Sequence, residues 1–328
     1  MKKQDKMSKN WKIWISVIFI LAVISSMIIV TYNDKTTSPY IIFIPKSKMN
    51  SNDFWFSVKT GVETAAKENN VTLEIMEPID ETHIEEQNAL IIEAIDKKPD
   101  AILIAPTSRT ENAEELLQVK KAGISIIYID SVTDEKIADS IVATDNVEAG
   151  KKMAEPMLAD LQKDSKIAIV SHVKNASTAI EREMGFRKGL GQYASQIVEV
   201  VYSNSSDEIG YKVTRELLER EPDISYLACL NEDSAVGAAR AVKALGLEKK
   251  ICLVGFDNST EEIKQLEEGV FQAIVVQKAF SMGYFGLENA VKVVQGEYVP
   301  YSVDSGAVLV TKQNMYDEEN QELLFPFY

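Results

Sequence analysis

Only two histidines and two cysteines occur in 328 residues, and that scarcity removes most enzymatic chemistry from consideration. The chain holds no G-x-S-x-G elbow, no phosphate-binding P-loop, no H-E-x-x-H and no C-x-x-C. One cysteine pair in so long a chain is no disulfide framework. Cys229 and Cys252 each sit inside an apolar run, where free thiols are usually buried. No metal and no cofactor is expected, and no carboxylate pair or metal site suited to hydrolytic chemistry stands out. Positive charge is short as well: 35 lysines and arginines face 50 acids, for a net charge of −15. So acidic a chain repels a phosphate backbone, which argues against nucleic acid as a partner. Internal repeats and low-complexity segments are also missing, beyond a strand–helix rhythm.

What is present begins with an unbroken apolar run, Ile13 to Tyr32. Twenty residues at a rise of about 1.5 Å span about 30 Å, the thickness of a bilayer's hydrocarbon core. Lys2, Lys3, Lys6, Lys9 and Lys12 precede it against Asp5 alone, whereas Asp34 and Lys35 cancel after it. Lysine excess marks the cytoplasmic side. Trp11, Trp14 and Tyr32 lie near the two ends, where aromatic rings favour the interface. A cleaved signal peptide would have a shorter apolar stretch and an A-x-A-like site, and Ile28 to Tyr32 offers none. The reading is a single-pass membrane protein, with residues 1–12 a cytoplasmic stub, 13–32 a transmembrane anchor and 33–38 a linker. The rest is extracellular, and removing the lysine-rich first twelve residues leaves it at −19.

That outer part, about 295 residues, alternates strand and helix and suggests two domains. Nine strands are expected: 40–45, 71–76, 101–105, 124–129, 166–171, 197–202, 226–230, 251–256 and 272–277. Most are near-continuous apolar runs, as in strands covered on both faces of a parallel sheet. Helical stretches lie between them, for example the one carrying Ala89, Leu90, Ile92, Ala94 and Ile95. It has acids before it and Lys97-Lys98 after it, matching the helix dipole. Nine strands are many for one small doubly wound sheet, so two α/β lobes are expected, dividing near Thr144-Asp145-Asn146.

Polar residues stand where strands end. Asp130, Asn231, Asp257 and Gln277 each follow or close an apolar run. In open parallel sheets ligands bind beyond the carboxyl ends of strands. Planar acceptors and donors there suit adjacent sugar hydroxyls, although each residue taken singly is also a fitting helix cap. Phe54, Trp55 and Phe56 follow the first strand, with Asp53 placed to cap the helix. Three consecutive aromatics cover more than half of a helix's circumference, so one or two should miss the core and offer a platform for a sugar ring. His172 ends a strand and can face the same cleft, whereas His83 opens a helix beside Glu85 and Glu86 and reads as solvated.

With those segments in place, the chain resembles the periplasmic sugar-binding proteins of the ribose/galactose type, the substrate-binding components of ABC importers. The resemblance covers about residues 39–312. It rests on Asn52-Asp53-Phe54-Trp55, Pro99 to Ile104, Ala122-Gly123-Ile124, Thr144-Asp145-Asn146, Asn231-Glu232-Asp233, Val254-Gly255-Phe256-Asp257 and Gln277, in this order and spacing. It implies a periplasmic-binding-protein-like fold of type I, with two doubly wound lobes joined by a hinge. Lobe one would take residues 39–144 and 279–305, lobe two 145–278 and 306–312, and 313–328 would be a tail. It also implies ligand contacts at Asn52, Phe54, Trp55, Asp130, Asn231, Asp257 and Gln277. Three positions depart from the family pattern. Ser131 stands where an arginine is usual, and Ile180 where a second arginine is usual, with Arg182 matching a different one. The stacking aromatic of lobe two falls near Ser205. Each arginine would be a charge-assisted partner worth about 1.5–3 kcal/mol, and His172, Lys174 or Asn175 are placed to compensate.

The expected function is extracytoplasmic capture of a small carbohydrate-like ligand between two closing lobes, by a monomer that hands it to an ABC permease. The alternative is ligand sensing on behalf of a membrane histidine kinase. A sugar-responsive repressor would need an N-terminal helix-turn-helix, and the chain has the apolar run there instead.

Overall fold

The computed structural model describes Trp11 and residues 14–22, 38–48 and 52–325. The chain divides into two units, Met1–Pro39 and Tyr40–Tyr328. In the first, residues 14–22 are helical with exposed side chains. Most of the expected anchor, stub and linker lies outside the described residues, as does 326–328. Among the described residues no helix is long and apolar enough to cross a membrane.

The second unit runs β1 (Tyr40–Ile44), α1 (Asp53–Glu68), β2 (Thr72–Ile75), α2 (Ile84–Lys97), β3 (Ala101–Ile104), α3 (Ala113–Lys121), β4 (Ser125–Ile129) and β5 (Ser140–Ala143). Then come α4 (Asn146–Leu158), β6 (Lys166–Ser171), α5 (Ser177–Leu190), β7 (Ile197–Tyr202), α6 (Asp207–Arg220), β8 (Ile224–Cys229), α7 (Glu232–Ala244), β9 (Cys252–Phe256), α8 (Thr260–Glu268) and β10 (Phe271–Gln277). The chain closes with α9 (Ala279–Val294), β11 (Ser302–Asp304), β12 (Ala307–Thr311) and α10 (Glu318–Leu324).

These strands form two six-stranded sheets, one per lobe, ordered β11-β5-β4-β3-β1-β2 and β12-β10-β9-β8-β6-β7. The second order repeats the first strand for strand. All pairings are parallel except β10 with β12, which is antiparallel. The nine expected strands are present within one or two residues at each end. Three were not foreseen. β5 and β11 are short with mixed burial, and β12 lies on an edge, so none shows the long apolar run that marks a doubly covered strand.

Alternate residues of one strand enter opposite cores, which is why the strands read as unbroken apolar runs. Ile41, Phe43, Leu103 and Ile129 pack beneath α1 and α9. Ile42, Ile44, Ile102 and Tyr128 pack on the other face with Ile91 of α2 and Leu116 of α3. The second sheet is likewise covered on both faces. Its outer core takes in Met315 and Leu324, so the segment after β12 docks on lobe two.

Two helix pairs place the cleft. In lobe one α1 packs on α9, and in lobe two α4 packs on α5. Each crossing is made of glycines. A Cβ at Gly61 would stand 2.1 Å from the Phe280 carbonyl oxygen, and one at Gly150 would stand 2.2 Å from that of Arg182. Only a missing side chain lets the backbones approach so closely.

The chain crosses between the sheets three times, after β5, β10 and β11. The crossings are tied together. Thr144 Oγ1 donates to Gln277 Oε1 at 2.8 Å, Ser305 N to the Ala143 carbonyl at 2.9 Å, and Lys278 N to the Gly306 carbonyl at 3.2 Å.

Candidate functional site between the lobes

Two aspartates stand one residue past matching strands. Asp130 follows β4 with φ +61°, and Asp257 follows β9 with φ +85°. Left-handed backbone is unusual outside glycine and is tolerated best by Asp and Asn. Each backbone N–H still bonds the next strand over, Asp130 to Val142 at 3.1 Å and Asp257 to Val275 at 2.8 Å. The turn therefore projects both carboxylates beyond the strand ends, where they are almost fully buried.

Their partners differ. Lys46, just after β1, donates its ammonium to Asp130 Oδ2 at 2.6 Å, with both side chains buried. Asp257 Oδ1 accepts from Gln277 Nε2 at 2.7 Å, and Oδ2 from the Glu232 backbone N–H at 3.2 Å. Burial pushes the Asp257 carboxyl up, and the nearby Arg182 guanidinium opposes that shift. Arg182, on α5, lies 3.8 Å over the Phe256 ring. It donates to Asn146, the Leu230 carbonyl and Gln277 at 2.7 to 3.1 Å. His172 meets Thr178 Oγ1 through Nε2 at 2.9 Å, whereas its buried Nδ1 has no partner. Burial, with Arg182 and Lys46 nearby, lowers its pKa well below the ordinary value, so the ring is neutral at pH 7.

Lobe contacts close around this group. Asn52 caps α1, accepting from Trp55 N at 3.0 Å, and Asn231 caps α7, accepting from Ser234 N at 3.1 Å. Asp53 does not cap α1. It accepts instead from Thr260 N of lobe two at 3.0 Å. In return the Glu232 carboxylate of lobe two accepts from the Asp53 and Phe54 N–H groups at 3.1 and 3.0 Å, at the positive end of α1. Further bonds between lobes join Arg109 N to the Asn175 carbonyl at 3.1 Å and Val132 N to Ser177 Oγ at 3.0 Å.

The cavity so enclosed is lined by Lys46, Asn52, Phe54, Trp55, Glu81, Asp130, His172, Thr178, Arg182, Asn231, Glu232, Asp257 and Gln277. Its volume is about 20 Å³, room for one water and less than any sugar ring needs. Entry of a ligand therefore requires the lobes to part. Phe54 and Trp55 meet edge to face, centroids 5.1 Å apart, while Phe56 is 45% exposed on the outside of the helix.

All seven residues expected at the site line this one cavity, together with His172 and Arg182. Lys174 does not. It lines a separate 560 Å³ groove on lobe two with Ile180, Met184 and Arg187. Ser131 turns away, its hydroxyl donating to the Pro106 carbonyl at 2.7 Å. Ser205 stands just behind the lining, donating to Glu81 at 2.9 Å. Lys46, Glu81, Thr178 and Glu232 were missed. Lys46 obeys the same strand-end rule as Asp130, and Glu232 reads in sequence as an ordinary first-turn acid. Glu81 carries no signal, because its loop reaches the cleft only through the fold. No group of three or more residues suited to a metal ion occurs among the described residues.

A family model described as the periplasmic binding protein domain matches residues 41–298. The ribose import binding protein of Bacillus subtilis is 28% identical over 285 residues, covering 86% of this chain and 90% of that protein. A crystal structure of a sugar transporter from Clostridium phytofermentans is 43% identical with a TM-score of 0.80, covering 84% of this chain and 100% of that one. A carbohydrate transporter solute binding protein from Agrobacterium radiobacter, solved with D-arabinose, is 27% identical with a TM-score of 0.84, covering 88% and 99%.

Proposed function

This chain belongs to the periplasmic binding protein family, and on that premise we propose that it captures a small carbohydrate between its lobes and delivers it to an ABC-type importer. One observation carries the reading. Asp130 and Asp257, held on left-handed backbone at matching strand ends of opposite lobes, converge with Asn52, Asn231 and Gln277 on one buried cavity beside Phe54 and Trp55. Carboxylates and amides at fixed angles suit neighbouring hydroxyls, and the aromatic pair suits a ring's C–H face.

The mechanism is closure without chemistry. With the lobes apart, each presents half of the polar set. A ligand bridging both halves favours the shut form, because only there does it meet every partner. The shut form then carries a surface that a permease can read. The relatives named as import components favour delivery to a permease over reporting to a histidine kinase. The apolar run at 13–32 would hold the binding unit at the outer face of the membrane, as a monomer.

A thermal-shift titration of the full-length protein against a panel of pentoses and hexoses tests this. At least one sugar should raise the melting temperature, and Asp257→Ala should weaken its binding by about tenfold or more, since a lost charged hydrogen bond is worth about 1.5–3 kcal/mol. Undiminished binding in that variant would refute the assigned cavity.

A further inference from the structure

Two acids at the seam are exchanged between the lobes. Asp53 opens α1 in lobe one, and Glu232 opens α7 in lobe two. Each follows an asparagine that already caps its own helix, Asn52 accepting from Trp55 N and Asn231 from Ser234 N. Both acids reach across instead. The Glu232 carboxylate, 6% exposed, spans the first turn of α1, with Oε1 accepting from Asp53 N at 3.1 Å and Oε2 from Phe54 N at 3.0 Å. Asp53 Oδ2 accepts from the N–H of Thr260, the first residue of α8, at 3.0 Å. Neither acid is held by a lysine or arginine among the described residues, whereas Asp207, another first-turn acid of lobe two, is taken by Arg240 at 2.6 Å.

Each carboxylate therefore finds its compensation at the positive end of a helix in the other lobe. The helix ends gain as well, because the first N–H groups of a helix have no partner within it. At α1 the lobe's own residues serve Trp55 N and Phe56 N, the latter through the Asn52 carbonyl at 3.2 Å, and leave the Asp53 and Phe54 N–H groups to Glu232. These bonds join protein to protein, so no ligand group takes part in them. They are tied to the contacts assigned to the ligand all the same. Asp53 stands between Asn52 and Phe54, and the Glu232 N–H donates to Asp257 Oδ2 at 3.2 Å.

We propose that Glu232 and Asp53 form a latch that holds the lobes together independently of the ligand, with Glu232 its main member, and so sets how tightly a ligand is kept without choosing which one. The inference deepens the two-lobed capture reading and rests on it. A ligand meets all its partners only in the shut form, so its apparent affinity scales with the fraction of molecules that are shut. Breaking the latch weakens every ligand by one common factor, whereas losing a direct contact weakens some ligands and spares others.

Amide-resolved hydrogen exchange of the full-length protein, with no sugar added, reads the latch directly. Arg109 N and Val132 N bond across the seam to Asn175 and Ser177 and so report closure through bonds that involve neither acid. Glu232→Gln sets an amide NH2 against one of the two α1 N–H groups and should speed exchange at both reporters by about tenfold or more. Asp53→Ala should speed it by about two- to fivefold, since Asp53 is exposed and screened by water. Asp53 lies outside the cavity lining, so this variant carries the test should Glu232→Gln fail to fold. Calorimetric titration against the pentose and hexose panel should then show each sugar that binds losing affinity by the same factor in either variant. Unchanged exchange at Arg109 and Val132 in both variants would overturn the latch. A loss confined to some sugars would also overturn it, making Glu232 a ligand contact. A wild-type protein that binds no sugar of the panel would instead refute the carbohydrate reading, and the exchange result would still decide the latch.

Discussion

Asp130 and Asp257 occupy matching places in the two lobes, each one residue past the fourth strand of its set and each on left-handed backbone. In lobe one a buried lysine neutralises the acid at 2.6 Å. In lobe two the acid leans on neutral donors, Gln277 Nε2 and the Glu232 N–H, with Arg182 as a neighbouring charge. The repeated strand order therefore fixes where a carboxylate stands and leaves open how it is compensated. The glycine crossings teach the complement. There the two lobes agree nearly to the ångström, because backbone contact leaves no freedom.

The largest effect should fall on the difference. Lys46→Met removes the buried ammonium that pairs directly with Asp130 and should cost about 3–5 kcal/mol. Asp257→Asn keeps the shape of its partner set and should cost about 1–3 kcal/mol. Urea unfolding of the two variants measures both, and equal losses would break the contrast. The glycines come next. Gly61→Ala and Gly150→Ala force a methyl against a backbone carbonyl oxygen in their respective lobes and should each cost about 1–3 kcal/mol. Closely similar values would sharpen the equivalence of the crossings, and a neutral result at either would deny it.

The smallest effect concerns the seam itself. Asp233 has its pKa raised to about 8 in the closed form, first by burial and then by Glu81. A raised carboxyl favours the protonated state, so its contribution to closure is complete below the ordinary carboxylate range and is lost as pH rises through about 8. Small-angle scattering between pH 6 and pH 9 should show the ligand-free protein opening with rising pH, and Asp233→Asn should flatten that response.

Much of the strand framework is visible in the chain. Runs such as Ala101–Ile104 feed two cores at once and so announce themselves. The polar residues that end such runs are visible for the same reason, and Asp130, Asn231, Asp257 and Gln277 all reach the cavity. β5, β11 and β12 are not visible, because three to five residues of mixed burial resemble any loop. Arg182 and Lys174 show the limit of position alone. Both were candidates from the same region, and only the fold decides that Arg182 on α5 enters the cleft while Lys174, in the loop before that helix, lines the outer groove.

Local order along the chain settled the strand–helix alternation and the stationing of hydrogen-bonding groups at strand ends, because each depends on residues a few places apart. Which groups pair was decided only by the approach of the lobes. Glu232 caps a helix that begins 179 residues earlier, and Lys46 meets an acid 84 residues later. Such pairings follow from where two sheets come to rest against each other, and no window of neighbouring residues encodes that.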